Sequence, residues 1–338
     1  MGDNRAPGKK GTCGDPGRPL GYFGKLEGNT EPETLFDDPV PNPPPVGPPY
    51  SGGPPTLAGD LDPKMEGRPL WELCGRATGL PEAKARELVD FGCLWLGKFP
   101  ITDPEFRLPK DGTFRVNLPE YGPVAFYEPD PSRIVFEDED ILVYDKESGR
   151  PSQAVPYDNR NNVHSGFTRL RGMTLRLPHR LDLGTSGLLI MSKNQRAAGF
   201  LGKLFQNGLV RKRYLALSGG DPPDWEETDA TASVAKAQQR YVVRDKGPGK
   251  SARTHLKVLS ARDGKVLFLA VPHTGRTHQI RLHLSHLGYP ILGDAFYGGA
   301  PHRRLMLRAS GIAFRHPTTH EPMVLGGPWE EGEGSGDV

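Results

Sequence analysis

An α+β fold in two folded parts is what this sequence predicts, and three observations carry the prediction. Continuous apolar runs of strand length, "SGLLIMSK" at 186–193 and "KVLFLAV" at 265–271, share the second half of the chain with "NQRAAGFLGKLFQNG" at 194–208. In the last of these, Ala197, Leu201, Leu204 and Phe205 recur at helical spacing. A shorter stretch near 66–121 mixes helical and strand-like patterns of its own, and ahead of it lies a Pro- and Gly-rich region whose composition builds neither. A chain of 338 residues suffices for one large domain or two ordinary ones.

Residues 1–62 contain "PVPNPPPVGPPYSGGPP" and are expected to form a disordered tail, because Pro lacks the backbone donor and fixes φ. A short polyproline recognition segment is the alternative there. Residues 63–122 are expected to form a small α+β domain. Leu70, Leu73 and Ala77 make one helical stripe, and Ala85, Leu88 and Val89 a second one after Gly79-Leu80-Pro81. Strand-like runs follow at Leu94–Leu96 and Phe114–Leu118, with Lys110-Asp111-Gly112 as a turn between them. The main domain is expected over 130–328. It opens with "RIVFEDEDILVYDK", a strand, an acidic turn and a second strand. Next come the apolar strand at 186–193 and a helix that Asn207-Gly208 ends, then "LVRKRYLAL" as a strand, and the strand at 265–271. In "THQIRLHLSHLG", Ile280, Leu284 and Leu287 share one helix face, and Gly288 is the stop. Residues 329–338 are acidic and Gly-rich and read as a second disordered tail.

The bulk composition excludes several classes. The formal net charge is +2 with a pI near 8.3, so any attraction to nucleic acid must be local rather than global. Cys13, Cys74 and Cys93 are odd in number and form no Cys-x-x-Cys pair, which points away from a disulfide framework and towards a reducing compartment. No apolar run has membrane-spanning length, and the N-terminus lacks the apolar core of a signal peptide. A cytoplasmic protein with no membrane partner is therefore expected.

Three stretches carry chemistry. In "LPHRLDLGTSGLLIMSK", an extended backbone at 179–182 would put Arg180 and Asp182 on one face and His179 and Leu181 on the other. Read alone, the two charges could be a surface pair or part of a site. Gly184-Thr185-Ser186-Gly187 lacks the residue that a Gly-x-Ser-x-Gly nucleophile elbow needs between Ser and the second Gly, and it precedes its strand, so a serine hydrolase is disfavoured. In "VPHTGRTHQIRLHLSHLG", His278 and His283 are five apart and fall on different sides of a helix, which argues against a metal centre. Gly275-Arg276-Thr277 ahead of that helix suits an anion pocket. Arg281 in the first turn opposes the helix dipole and calls for a specific partner; simple solvation is the bland alternative. In "VRKRYLAL", Arg211, Lys212 and Arg213 precede Tyr214, a weak nucleic-acid signature beside the commoner reading of a core or rim tyrosine.

Taken in order, "HRLDLGTSGLLIMSK", "KRYLAL" and "GRTHQIRLHLSHLGYPILGDAFYG" resemble the three signature blocks of RNA pseudouridine synthases of the RluA type, over about Ile134 to Leu325. The region 66–121 is similar, by pattern only, to the small S-four-like RNA-binding domain that many members carry. The resemblance implies an α+β catalytic domain with a mixed, largely antiparallel sheet and flanking helices, preceded by that small domain. It implies that Asp182 is the catalytic carboxylate and that Arg180 fills the place of a flipped uridine or helps expel it. It also implies that Tyr214 packs on the uracil, and that Arg281 pairs with Asp182 to hold it ionised and aimed. Lys212, Arg276 and His278 would contact RNA, as would Arg76, Lys84, Arg86 and Lys98, which taken singly are solvated surface charges. Two departures stand out: Lys146-Glu147-Ser148-Gly149 where the family has Lys-Pro-x-Gly, and Leu307-Arg308-Ala309 where it often has Leu-His-Ala.

The expected activity is isomerisation of uridine in structured RNA, ribosomal before transfer RNA, by a monomer that needs no cofactor and no metal. A non-catalytic RNA-binding protein that kept the fold, and a metal hydrolase built on the His-rich helix, are the competing readings.

Overall fold

The computed structural model describes residues 32–36, 56–118, 127–155, 159–237, 240–244 and 249–329. The small domain is a four-stranded antiparallel sheet under two helices. Its strands are β1 (Thr56–Asp60), β2 (Leu94–Leu96), β3 (Phe99–Pro100) and β4 (Thr113–Asn117), in the order β1-β4-β2-β3. Helices α1 (Leu70–Thr78) and α2 (Glu82–Asp90) bury Leu70, Leu73, Cys74, Ala85 and Val89 against Leu94 and Val116 of the sheet. Gly79 ends α1 at φ 72°, a left-handed backbone that suits a residue without Cβ. The domain touches the rest of the chain through the end of α2: Arg160 Nε donates to the Asp90 carbonyl at 2.7 Å, and Asn159 N to the Phe91 carbonyl at 2.9 Å.

The main domain is built on one large sheet. Its strands are β5 (Ile134–Glu137), β6 (Ile141–Lys146), β7 (Ser186–Ser192), β8 (Arg211–Gly219), β9 (Glu227–Ala237), β10 (Arg240–Arg244), β11 (Lys250–Arg262), β12 (Lys265–Pro272), β13 (Leu307–Arg315) and β14 (Pro322–Gly326). The order is β10-β9-β11-β12-β8-β13-β7-β6-β5, with β14 paired to β13. Among the described residues, every pairing is antiparallel except β13 with β7. Three helices flank it: α3 (Val163–Arg171), α4 (Gln195–Gln206) and α5 (Gln279–His286). The Asn162 and Asn194 side chains accept from Ser165 N and Ala197 N, which caps α3 and α4. Strand β7 is buried along its whole length because both faces are covered. Leu188 and Ile190 pack with Ala197, Leu201 and Leu204 of α4, while Leu189 and Met191 pack with Phe167 of α3. Among the described residues, no helix is long and apolar enough to cross a membrane.

Two stretches of the expected N-terminal tail are structured. Strand β1 closes the edge of the small sheet beside β4. Residues Pro32–Phe36 form one 3-10 turn on the main domain, where Leu35 and Phe36 join the cluster of Leu215, Phe268, Ile280 and Leu284. The local composition disfavours regular structure, but burial of two large apolar side chains outweighs it, at roughly 2 kcal/mol for each. Residues 1–31 and 37–55, and residues 330–338 of the acidic tail, lie outside the described residues.

The β7–β13 pair shows why a glycine follows Thr185-Ser186. Gly187 sits at φ 106° opposite Ala309, and a Cβ there would lie 2.2 Å from the Ala309 carbonyl oxygen. Gly187→Ala is expected to cost at least about 2 kcal/mol of stability, through strain and overpacking together, read as a lower urea midpoint. An unchanged midpoint would mean that the two strands separate easily at this point.

Candidate active site

The segment before β7 is fixed by its backbone. Ser152 Oγ donates to the Leu181 carbonyl (2.9 Å) and receives the Leu181 N–H (3.1 Å). Gly149 N donates to the Leu183 carbonyl at 2.9 Å, and Ser148 Oγ to the Gly184 carbonyl at 2.7 Å. Thr185 N closes the turn onto the Asp182 carbonyl at 3.1 Å. The carbonyls on both sides of Asp182 are thus held by residues 148–152. Leu181 points into the core, Asp182 is half-buried, and Arg180 is exposed. His179 points inward: its Nε2 accepts the Ile190 N–H at 2.9 Å and its ring stacks on Phe205 at 4.5 Å. Burial and the nearby Lys212 charge push the imidazole down to about 3, so it is a neutral tether rather than an acid or base. Ser186 is 1% exposed, where a nucleophile would need access.

Helix α5 brings up the cation. Arg281 lies within ion-pair distance of Asp182, but its hydrogen bonds go to a second carboxylate that the sequence reading did not name. Arg281 Nε and Nη2 donate to the two carboxylate oxygens of Asp294 at 2.7 and 2.8 Å, while Nη1 lies 3.6 Å from Asp182 Oδ2. Asp294 is wholly buried and Arg281 nearly so, and a planar guanidinium satisfies two buried acceptors best in this forked geometry. Burial alone would lower the Arg281 pKa, but the Asp294 hydrogen bonds and charge, with Asp182 behind them, raise it. Asp182 therefore faces a permanent cation that is anchored elsewhere. The guanidinium also lies over the Tyr297 ring, 5.0 Å from its centroid.

Two further expected residues converge here. His278 takes a left-handed backbone at φ 58° as α5 begins, which turns its ring towards Asp182, Nε2 to Oδ2 3.8 Å, with Nδ1 2.7 Å from the Tyr297 hydroxyl. Burial pushes its pKa down, against the pull of Asp182. Tyr214 on β8 packs between two core clusters, and burial with the Asp182 charge raises its phenol, so it stays protonated. Lys212, two residues earlier, is desolvated and its pKa lowered; its Nζ is 3.9 Å from where a Cβ on Gly275 would sit.

The other expected residues are placed less simply. Arg276 Nε donates to the Ser251 carbonyl at 2.9 Å, and its N–H to Gln279 Oε1 at 3.0 Å. Gln279 also takes the Thr274 hydroxyl and donates to the Arg253 carbonyl and Thr254 Oγ1, so the entry to α5 is tied to β11 by its own side chains. In the small domain, Lys84 pairs with Glu87 at 2.9 Å, and Arg86 pairs with Glu82 and Glu105 and lies over Trp71. Arg76 and Lys98 are exposed and make no ion pair among the described residues. The histidines of α5 diverge: His283 Nδ1 contacts Thr254 Oγ1 at 2.9 Å and burial pushes it down to about 4, while His286 is exposed. Among the described residues no cluster of His, Cys, Asp and Glu could hold a metal.

The sequence motifs assign no role to Asp294 or to the 146–152 segment that holds the Asp182 loop. One signal was available for Asp294: a lone carboxylate in "YPILGDAFYG" needs a buried cation, and Arg281 needs a partner.

A family model described as RNA pseudouridylate synthase matches residues 140–286. The chain is 32% identical over 271 residues to the ribosomal large subunit pseudouridine synthase D of Zymomonas mobilis, covering 72% of this chain and 84% of that protein. It is 36% identical over 200 residues to the dual-specificity RNA pseudouridine synthase RluA of Vibrio parahaemolyticus, covering 55% and 79%. Among solved structures, human RNA pseudouridylate synthase domain containing 1 superposes with a TM-score of 0.51 at 28% identity, over 60% of this chain and 86% of that one.

Proposed function

The chain belongs to the RNA pseudouridylate synthase family, among its RluA-type members, and from that premise we propose that it isomerises particular uridines of ribosomal RNA with Asp182 as the catalytic carboxylate. The observation that carries the residue assignment is the Asp182 carboxylate itself. It is half-buried, backed by a rigid loop, and 3.6 Å from a guanidinium whose own place is fixed by Asp294.

The reaction breaks the N1–C1′ bond of uridine, turns the base and joins C5 to C1′; C5 then loses its proton and N1 gains one, so the product is an isomer of the substrate. Positive charge grows at C1′ as the first bond breaks, and a carboxylate aimed there stabilises it without having to reorganise. No water has to be activated, so one carboxylate suffices. The target must first leave its stack, at a cost of a few kcal/mol. Arg180, exposed beside Asp182, is suited to the gap in the RNA, and Tyr214 offers the departing base an aromatic face. Lys212, Arg276 and His278 would meet the phosphates and the sugar, and Arg76 and Lys98, exposed on the small domain, would add contacts there. Lys84 and Arg86, already paired, would contribute less. Ribosomal RNA is favoured by the large-subunit relative, and transfer RNA is the alternative.

Pseudouridine mapping of ribosomal and transfer RNA from cells with and without the gene tests this. Loss of defined ribosomal sites is expected, restored by the intact gene but not by Asp182→Asn. Losses confined to transfer RNA would overturn the substrate assignment, and no loss in any RNA would overturn the activity.

A further inference from the structure

Beneath the Asp182 loop lies a buried carboxylate that the reaction does not use. Glu147 is 6% exposed, and it stands where this chain departs from the Lys-Pro-x-Gly pattern. Tyr127 Oη donates to both its carboxylate oxygens at 2.9 Å, and Tyr144 Oη to Oε1 at 2.9 Å. Burial, then the Glu147 charge, raises the pKa of both phenols, so both remain donors. Burying a carboxylate is costly unless its lone pairs are met, and here two phenols meet them with charge-assisted bonds.

Both ends of this arrangement are fixed. Tyr127 is pinned by Asn161 Oδ1 at its N–H (2.8 Å), by Arg169 Nη2 at its carbonyl (2.7 Å), and by the Arg150 guanidinium over its ring (4.8 Å). Tyr144 belongs to β6 in the middle of the core. On the other side, the backbone around Glu147 grips the Asp182 loop. Lys146 Nζ, on a fully buried side chain, donates to the Glu147 and Arg150 carbonyls at 2.7 Å and reaches the Leu183 carbonyl at 3.3 Å. Ser148, Gly149 and Ser152 hold the carbonyls of Gly184, Leu183 and Leu181. An apolar side chain could fill the space of Glu147, but only directional bonds fix the segment in one register.

We propose that Glu147, held by Tyr127 and Tyr144, is a positioning residue for the isomerisation: it sets the place of the 146–152 segment, and that segment sets the place of Asp182. The inference rests on Asp182 being the catalytic carboxylate. A reacting group displaced by about 1 Å loses on the order of 100-fold in rate.

The test uses the full chain, with RNA from cells lacking the gene as substrate. Single-turnover rates at saturating protein are measured beside the Kd for that RNA and the fraction folded. Glu147→Ala is expected to slow the folded protein by roughly 10- to 100-fold with Kd held within about twofold. Glu147→Gln keeps one acceptor for a phenol and is expected to fall between Glu147→Ala and the unaltered protein. Tyr127→Phe removes a hydroxyl without changing packing and decides the matter should Glu147→Ala not fold; a slowing of about threefold or more is expected. Normal rates for Tyr127→Phe and Glu147→Gln, with only a lower melting temperature, would overturn the proposal and leave Glu147 a purely structural residue. Asp182→Asn run in parallel separates the two failures. If it is inactive, only the Glu147 proposal has failed; if it too is active, the reading of Asp182 has failed.

Discussion

Asp182→Asn is expected to reduce pseudouridine formation by on the order of 10³-fold or more, while the protein stays folded and binds RNA as before. The substitution is nearly isosteric and removes only the negative charge that the proposed mechanism aims at C1′. In many sites, neutralising one partner of a buried ion pair strands the other and unfolds the protein. Here it does not, because Arg281 keeps both hydrogen bonds to Asp294 when Asp182 is neutral. On the proposed reading, in which basic residues carry RNA affinity, binding should be unchanged or slightly stronger once a carboxylate no longer repels phosphate. Rate and binding measured on one preparation give the result. A normal rate would remove Asp182 from the chemistry, and lost binding would mean that the residue holds RNA rather than transforms it.

Asp294→Leu is expected to be the most damaging single change to stability in the site, at roughly 3–5 kcal/mol, with activity lost as well. It leaves a nearly buried guanidinium without its forked acceptor, and the nearest remaining carboxylate is Asp182 at 3.6 Å. Asp182 would be drawn towards Arg281 and away from C1′. Urea unfolding should show a lower midpoint at unchanged slope. Adding Arg281→Met should recover most of the stability, since an apolar pair of similar volume replaces a buried ion pair at little cost, while activity stays low. If the double variant is no more stable than Asp294→Leu alone, the penalty comes from lost packing around Phe296 and Tyr297 and not from the stranded charge.

Where the sequence is locally decisive, it is legible. Strand β7 and helices α4 and α5 follow from their apolar patterns, and the Asp182 block is recognisable in the order of its residues. Strand β9 is harder because it presents exposed and half-buried residues along most of its length, and the alternation in β11 is carried by Ala252, Thr254 and Leu256, one of them polar. Helix α3, "VHSGFTRLR", has an Asn cap but a Gly and two β-branched residues inside it, and is held by Val163 and Phe167 in the core. The partner of Arg281 is a question of three-dimensional choice. Helix polarity says that a carboxylate must come, but only the fold decides between Asp182 and Asp294. The Glu147 contacts have the same origin: Tyr127 lies twenty residues away in sequence, and nothing local joins the two.

The burial of Phe36 changes what kind of module the small domain is. By position in the sequence it precedes the main domain as an appendage. By connectivity it is an insertion: the chain is fastened to the main domain at Leu35 and Phe36, leaves to build residues 56–118, and is fastened again at Tyr127. A module tethered at both ends explores less space than one on a single linker, so its effective concentration at the Asn159–Arg160 contact is higher. Were the small domain to hold RNA, chain connectivity would confine that RNA to a limited volume around the main domain.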